Sequence, residues 1–303
     1  MASTGDWWIR GVAPLAILHL ALFLTLRARP GALAVVLWKW GPPILLAANA
    51  LLLGAALVSA LRGRQTVSAR RAVGLVGLTL LVATTAIYRT YPSSHDRAPS
   101  AVRFVLPLDG PVTVAWGGAT PAVNYHVRAP AERWAYDLLI TVDGVTYRGD
   151  GARLADYHAY DRPIVAPAEG RVVAVHDGDP DEPPGQPDAQ RGGGNRIVIE
   201  VAPDQYLTVA HLKGGTILVS PGQQVRQGDR LGRIGNSGNS SEPHVHLHLQ
   251  DTPVPGAGEG IPFYFSQYVV LDSGAKVARG MPEGGLRGGR WIGDVVNSLA
   301  PFE

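Results

Sequence analysis

The chain has 303 residues, a formal net charge of +2 at neutral pH and no cysteine. Its length allows one or two domains with a substantial core, and its charge is too small to mark a nucleic-acid binder. The absent thiols exclude disulfides, thiolate zinc sites and a cysteine nucleophile, so any metal must be held by His, Asp or Glu.

Composition divides the chain near residue 90. Residues 1–90 are dominated by Leu, Ala, Val and Gly, with apolar stretches at 8–26, 42–61 and 72–88. Each is about long enough to cross a hydrocarbon core about 30 Å thick, which predicts three transmembrane helices in a lipid bilayer. A cleaved signal peptide would be one short segment behind a basic region. Trp7, Trp8, Trp38, Trp40, Tyr88 and Tyr91 fall near the proposed ends, as interfacial aromatics do. His19 lies inside the first span and is expected to pack against a neighbouring helix. Arg62, Arg64, Arg70 and Arg71 separate the second and third spans, against Arg27, Arg29 and Lys39 between the first and second. The positive-inside rule places the four-arginine loop in the cytoplasm and sends everything after the third span outside. Residues 91–103, rich in Pro, Ser and charge, read as a linker in which His95 is solvated.

After residue 104 the pattern changes to short Val/Ile/Tyr runs separated by Gly, Pro, Asp and Asn. The expected fold is therefore transmembrane α-helices followed by an all-β domain, an antiparallel sandwich or barrel, over 104–250. Residues 177–194 have no apolar content and read as a long mobile hairpin loop. Residues 251–303 form a Gly-rich extension in which "PFYFSQYVVL" is one further strand.

Three of the nine histidines fall in "HVHLHL", at 244, 246 and 248, alternating with Val245, Leu247 and Leu249. A strand sends such residues to one face, about 6.6–6.8 Å apart. The plain alternative is a polar solvent face; imidazole chemistry and the glycine-rich turn before the strand favour metal binding or catalysis. His211 ends the run "YLTVAHL", His126 follows "AVNY", and Asp137 sits in "WAYDLLI". An unpaired carboxylate on a core strand is costly, so Asp137 calls for a cation. His176 precedes a turn and reads as exposed, and Asn195, at a strand start, reads as turn chemistry or as a shaper of the groove.

These residues carry a resemblance. "GNSGNSSEPHVHLHL" resembles the H-x-H signature of the LytM/lysostaphin-type zinc metallopeptidases, family M23. "RPIVAPAEGRVVAV", "GNRIVIE" and the run from "YLTVAHL" to "GDRLGRIG" are similar to further family motifs, in the family's order, over roughly 105–250. The resemblance implies a LytM/duplicated-hybrid-like β fold. It implies a Zn²⁺ held by His126, Asp137 and His246, with His211 and His244 as the catalytic histidines. One departure stands out: ten residues separate His126 from Asp137, where the family commonly has three. This looks like an insertion, and His158 in "DYHAYD" is the alternative first ligand. His248 exceeds the minimal motif and either buttresses the site or faces a groove. No H-E-x-x-H occurs, which excludes a glutamate base of that type.

The implied function is a multi-pass, membrane-anchored zinc endopeptidase acting on peptidoglycan peptides, extracellular or periplasmic, with cell-wall or division proteins as partners. The alternative is a non-catalytic LytM-like regulator that activates other wall hydrolases. Candidates for all five positions favour the enzyme. A biotinyl- or lipoyl-like carrier is a third class, but "VRQGDRLGRIG" has no lysine at its hairpin tip.

Overall fold

The structure, a computed structural model, describes residues 7–28, 31–63, 68–92 and 98–299. Arg29, Arg64 and His95 lie outside them. The chain divides into two compact units, Met1–Ser94 and His95–Glu303.

The first unit holds three helices, α1 (Ile9–Ala28), α2 (Ala32–Gly63) and α3 (Ala69–Thr84), the last prolonged by a 3₁₀ turn to Arg89. All three are long and apolar enough to cross a membrane. Large apolar side chains such as Leu18, Leu24, Leu51, Leu61, Val73 and Leu80 point outward, as lipid-facing residues do. The second span is longer than expected. Its start was read at Pro42–Pro43, but α2 runs through both prolines and begins at Ala32. Apolar surroundings favour internal hydrogen bonding over an exposed loop, and transmembrane helices tolerate proline. Lys39 therefore belongs to α2, its Nζ 5.7 Å from the Trp40 ring centroid, and leaves the count for the first loop. His19 is buried and joins the three helices. Its ring meets Asn49 Nδ2 at 2.7 Å and Thr84 Oγ1 at 3.4 Å.

The second unit is built on an antiparallel sheet. Its strands are β1 (Val112–Trp116), β2 (Tyr136–Leu139), β3 (Pro163–Val165), β4 (Gly170–His176), β5 (Asn195–Ala202), β6 (Gln205–Leu212) and β7 (Gln224–Val225). There follow β8 (Arg230–Arg233), β9 (Val245–Gln250), β10 (Phe265–Val270), β11 (Ala275–Gly280), β12 (Leu286–Arg287), β13 (Arg290–Trp291) and β14 (Val295–Ser298). Ten of them form one sheet in the order β11-β10-β14-β1-β2-β9-β6-β5-β4-β7. Short pairs β3–β8 and β12–β13 stand beside it.

The alternation in "HVHLHL" holds: Val245, Leu247 and Leu249 are fully buried in the main core with Tyr136, Ile197, Leu207 and Phe263. Burying side chains of this size contributes roughly 1.5–3 kcal/mol each. The opposite face is not solvent-facing, since every residue of β9 is buried.

Three expectations change here. Residues 251–303 are not an appendage, because β10, β11 and β14 extend the sheet beyond β1. Val295 and Val296 pair with Thr113 and Val112. The part of the expected linker after residue 97 also docks on this unit, Ser100 N–H donating to Pro262 O at 2.8 Å. Nor is the 177–194 loop loose: Glu182, Gly185 and Asp188 donate backbone N–H bonds to Asn236, Ser241 and Gly238. Polar backbone bonds hold it where it has no apolar side chains to bury. Gly194 and Gly238, at φ +56° and +78°, allow the closest approach of the two segments, since a Cβ on Gly238 would meet the Gly194 backbone.

Candidate metal and catalytic centre

Asp137 on β2 lies directly opposite His246 on β9, and Ala210 on β6 is opposite it on the other side. Side chains facing each other across strands fall within contact range. His246 Nδ1 stands 2.7 Å from Asp137 Oδ1. His126 arrives from a 3₁₀ turn, Tyr125–Arg128, capped by Asn124, whose Oδ1 accepts the His126 N–H at 3.1 Å. The Asn124 amide also donates to Gly118 O and Ala135 O, at 3.0 Å each, so both ends of the turn are pinned.

His126 Nε2 lies 2.9 Å from Asp137 Oδ2. The ten residues between them fold as successive tight turns, with Ala129, Glu132 and Ala135 each bonding the carbonyl three residues back. That insertion returns the chain to β2, and it supplies Glu132, whose Oε2 is 3.4 Å from His126 Nδ1. The sequence reading did not name Glu132.

One ligand atom each from His126, Asp137 and His246 lies within 4.8 Å of the others, and all three residues are buried. Two imidazole nitrogens and a carboxylate oxygen are the donor types zinc takes in catalytic sites, and the second nitrogen of each imidazole is engaged outward, as metal-bound histidines require. The residues therefore fit the ion. Burial would raise the Asp137 pKa, but His126 and His244 with two histidine hydrogen bonds hold it well below the usual carboxylate range. Burial would lower His126, yet Asp137 and Glu132 beside it raise its pKa to about 9.

His211 reaches the site through a bulge. From Asn195 to Ile197 on β5 the partner strand β6 advances from Leu212 to Val209, one residue more. Plain alternation would put His211 on the core face with Leu207 and Val209; the bulge re-aims it. Its φ is +62°, unusual for a residue with a side chain. Nδ1 lies 2.8 Å from Ser237 O. A carbonyl only accepts, so Nδ1 carries the proton and Nε2 is left with its lone pair. Burial, then the neighbouring His244 and His246, lowers its pKa to about 3.

His244, just before β9, is held the same way, with Nδ1 2.8 Å from Glu242 O. Its Nε2 is 3.6 Å from Asp137 Oδ1. The His211 and His244 rings are 4.8 Å apart. Two imidazoles, each with Nδ1 on a backbone carbonyl, thus stand beside His126, Asp137 and His246.

The other residues singled out in the sequence separate. His158 is half-buried, and its ring is not among the groups that converge on Asp137. Asn195 is buried and bonds at both ends of its amide, to Gly178 and Asp179 N–H and to Asp179 and Leu212 carbonyls. It clamps the base of the 177–194 loop and does not line the cleft. His248 does, together with Arg191, Arg196 and Thr208, in a cavity of about 320 Å³. A second cavity of about 300 Å³, walled by Trp116, Tyr125, Trp291 and His244, adjoins it at Tyr125 and Asn239.

By donor type and arrangement this is a group of side chains able to hold a metal ion, set on an antiparallel β fold. Residues 152–256, about a third of the chain, match the sequence model of Peptidase family M23. The resemblance drawn from the motifs is borne out over that segment, which holds His211, His244 and His246; His126 and Asp137 precede it. The chain is also 36% identical over 109 residues to an uncharacterized metalloprotease of Haemophilus influenzae, spanning 33% of this chain and 20% of that protein. Among solved structures it is similar to the catalytic domain of the prophage-encoded M23 protein EnpA from Enterococcus faecalis, in a mutant form. That likeness has 19% identity and a TM-score of 0.35, over 52% of this chain and 94% of the other. A zinc-containing peptidase from Vibrio cholerae shows 20% identity and a TM-score of 0.33, over 57% and 47%.

Proposed function

We propose that the chain is a membrane-anchored zinc endopeptidase that cuts peptide bonds of peptidoglycan outside the cytoplasm. The observation that carries this reading is the convergence of His126, Asp137 and His246 beside His211 and His244, whose Nδ1 atoms are tied to backbone carbonyls. His126, Asp137 and His246 would hold the zinc, which would supply a Lewis acid and lower the pKa of a water bound there toward about 7. The remaining chemistry belongs to the chain. His211 and His244 accept hydrogen bonds at Nε2 from the attacking water and orient it. His244 is able to take a proton there and pass it to the departing amine. The Nδ1 anchors, Ser237 O and Glu242 O, fix the orientation of the two rings. The two adjoining cavities give an extended peptide room on both sides of the site, with aromatic walls on one side and Arg191 and Arg196 on the other.

The three apolar helices support anchoring in a bilayer. The arginines at 62–71, at the facing ends of α2 and α3 and between them, support an outward β domain. Cell-wall or division proteins are the partners this placement suggests. The test is digestion of purified peptidoglycan by the zinc-loaded full-length chain in detergent, read as new amino termini. Release that is lost in Asp137→Ala is expected. A zinc-bound chain that releases nothing would refute the enzyme and leave the regulator that activates other hydrolases.

A further inference from the structure

The polar face of β9 continues past His246 in a series of hydrogen bonds that none of the roles above uses. His246 Nε2 is 2.9 Å from His248 Nδ1, and His248 Nε2 is 3.2 Å from Gln250 Oε1. His248 and Gln250 are both buried. The Gln250 amide has only one workable orientation. Its Nε2 faces Thr252 O at 2.6 Å and Val254 O at 2.7 Å, and carbonyls only accept. Its Oε1 takes the Gly256 N–H at 3.0 Å, and a backbone N–H only donates. Turning the amide over would break all three bonds and leave buried polar groups unpaired.

Tautomers follow from that fixed end. Because Oε1 is an acceptor, His248 Nε2 carries the proton. Neutral His248 then has a bare Nδ1, which accepts from His246 Nε2–H. With its proton committed to Nε2, neutral His246 presents a lone pair on Nδ1, the atom 2.7 Å from Asp137 Oδ1.

We propose that His248 and Gln250 are positioning residues: a relay, anchored on the 252–256 loop, that keeps the His246 proton on Nε2 and so holds Nδ1 ready as a metal ligand. Outer partners of this kind set ring orientation and ligand basicity. The anchor doubles as a wall of the cleft, since Pro255 and Gly256 line it. The proposal rests on His246 being a zinc ligand.

Two measurements on the full-length chain in detergent test it. Ring-nitrogen NMR of ¹⁵N-histidine-labelled protein reads the His248 tautomer, and chelator competition reads zinc affinity. The expected tautomer is Nε2–H on His248, with and without zinc. Gln250→Leu should give a mixed His248 tautomer and weaken zinc about 10- to 100-fold. His248→Leu should weaken it similarly, and His248→Gln, whose amide oxygen accepts from His246, should recover much of the loss. An Nδ1–H His248 in the wild type would overturn the relay, as would unchanged zinc affinity in folded Gln250→Leu and His248→Leu. If those variants fail to fold, the wild-type spectrum still decides. A wild-type chain that binds no zinc would defeat the metal reading, and its His248 tautomer would judge the relay separately.

Discussion

His211 carries a pH consequence that follows from its setting. Its pKa is about 3 in the folded chain, lowered by burial and by the adjacent His244 and His246, against 6.5 for the free side chain. Well above pH 6.5 neither the folded nor the unfolded state binds this proton, and the group adds no pH dependence. As pH falls through 6.5 the unfolded chain takes up a proton that the folded chain refuses until about pH 3. Stability is therefore lost over that window, because the unfolded state binds more protons. At pH 5 the loss amounts to about 2 kcal/mol. The informative variant is His211→Asn. Asparagine tolerates the left-handed backbone at φ +62° and does not titrate, so the substitution removes the proton without forcing the bulge open. Urea unfolding of the zinc-free full-length chain in detergent, followed by near-UV circular dichroism at pH 8 and pH 5, gives the comparison. The wild type should lose about 2 kcal/mol more than the variant between the two conditions. Equal losses would refute the claim that His211 is buried in its neutral form.

Removing any of His126, Asp137 or His246 as alanine should abolish stoichiometric zinc in metal analysis of the purified chain, whereas His158→Ala should keep it. Zinc uptake at pH 7.5 should release at least one proton, since His126, with its pKa near 9, is protonated before the ion arrives; calorimetry in buffers of different ionisation enthalpy measures it. His244→Ala should retain zinc while turnover of a peptidoglycan peptide falls about 10²–10⁴-fold, and adding His211→Ala should cost less than the product of the single losses. Leu247→Ala, at a fully buried position, should cost about 2–5 kcal/mol in urea unfolding. A reporter fused after Glu303 should be active only outside the cytoplasm; activity inside would reverse the assigned orientation.

Much of the architecture is local and therefore legible. Apolar length gives the three helices, and the period-two pattern of 244–249 gives a strand with its aliphatic face inward. The misses come from partners distant in sequence. Pro42 and Pro43 look like a helix start, yet the segment before them is apolar enough to stay helical. The 251–303 extension shows weak alternation because β10, β11 and β14 draw their order from pairing, β14 with β1 across some 180 residues. The 177–194 segment looks mobile because its stability comes from backbone bonds to 236–241, which composition does not record.

The site divides along the same line. His244 and His246 are visible because two positions on one strand fix their relation. Asp137 is visible because a carboxylate in an apolar run needs a cation. His126 was in doubt because spacing is a poor guide when the intervening chain coils into turns, and those turns determine the geometry: Ala135 is bonded both to Asn124 and to Glu132, so the insertion closes on itself and brings Asp137 back to His126. The same insertion brings Glu132 to His126 Nδ1, while on the other imidazole His248 meets His246 Nε2. Each ligand imidazole thus has an outward partner, one from the inserted turns and one from the extra histidine. The ten-residue spacing and the third histidine of the strand are thus the features that give His126 and His246 their outward partners, which is the physical reason to read both as parts of the proposed centre.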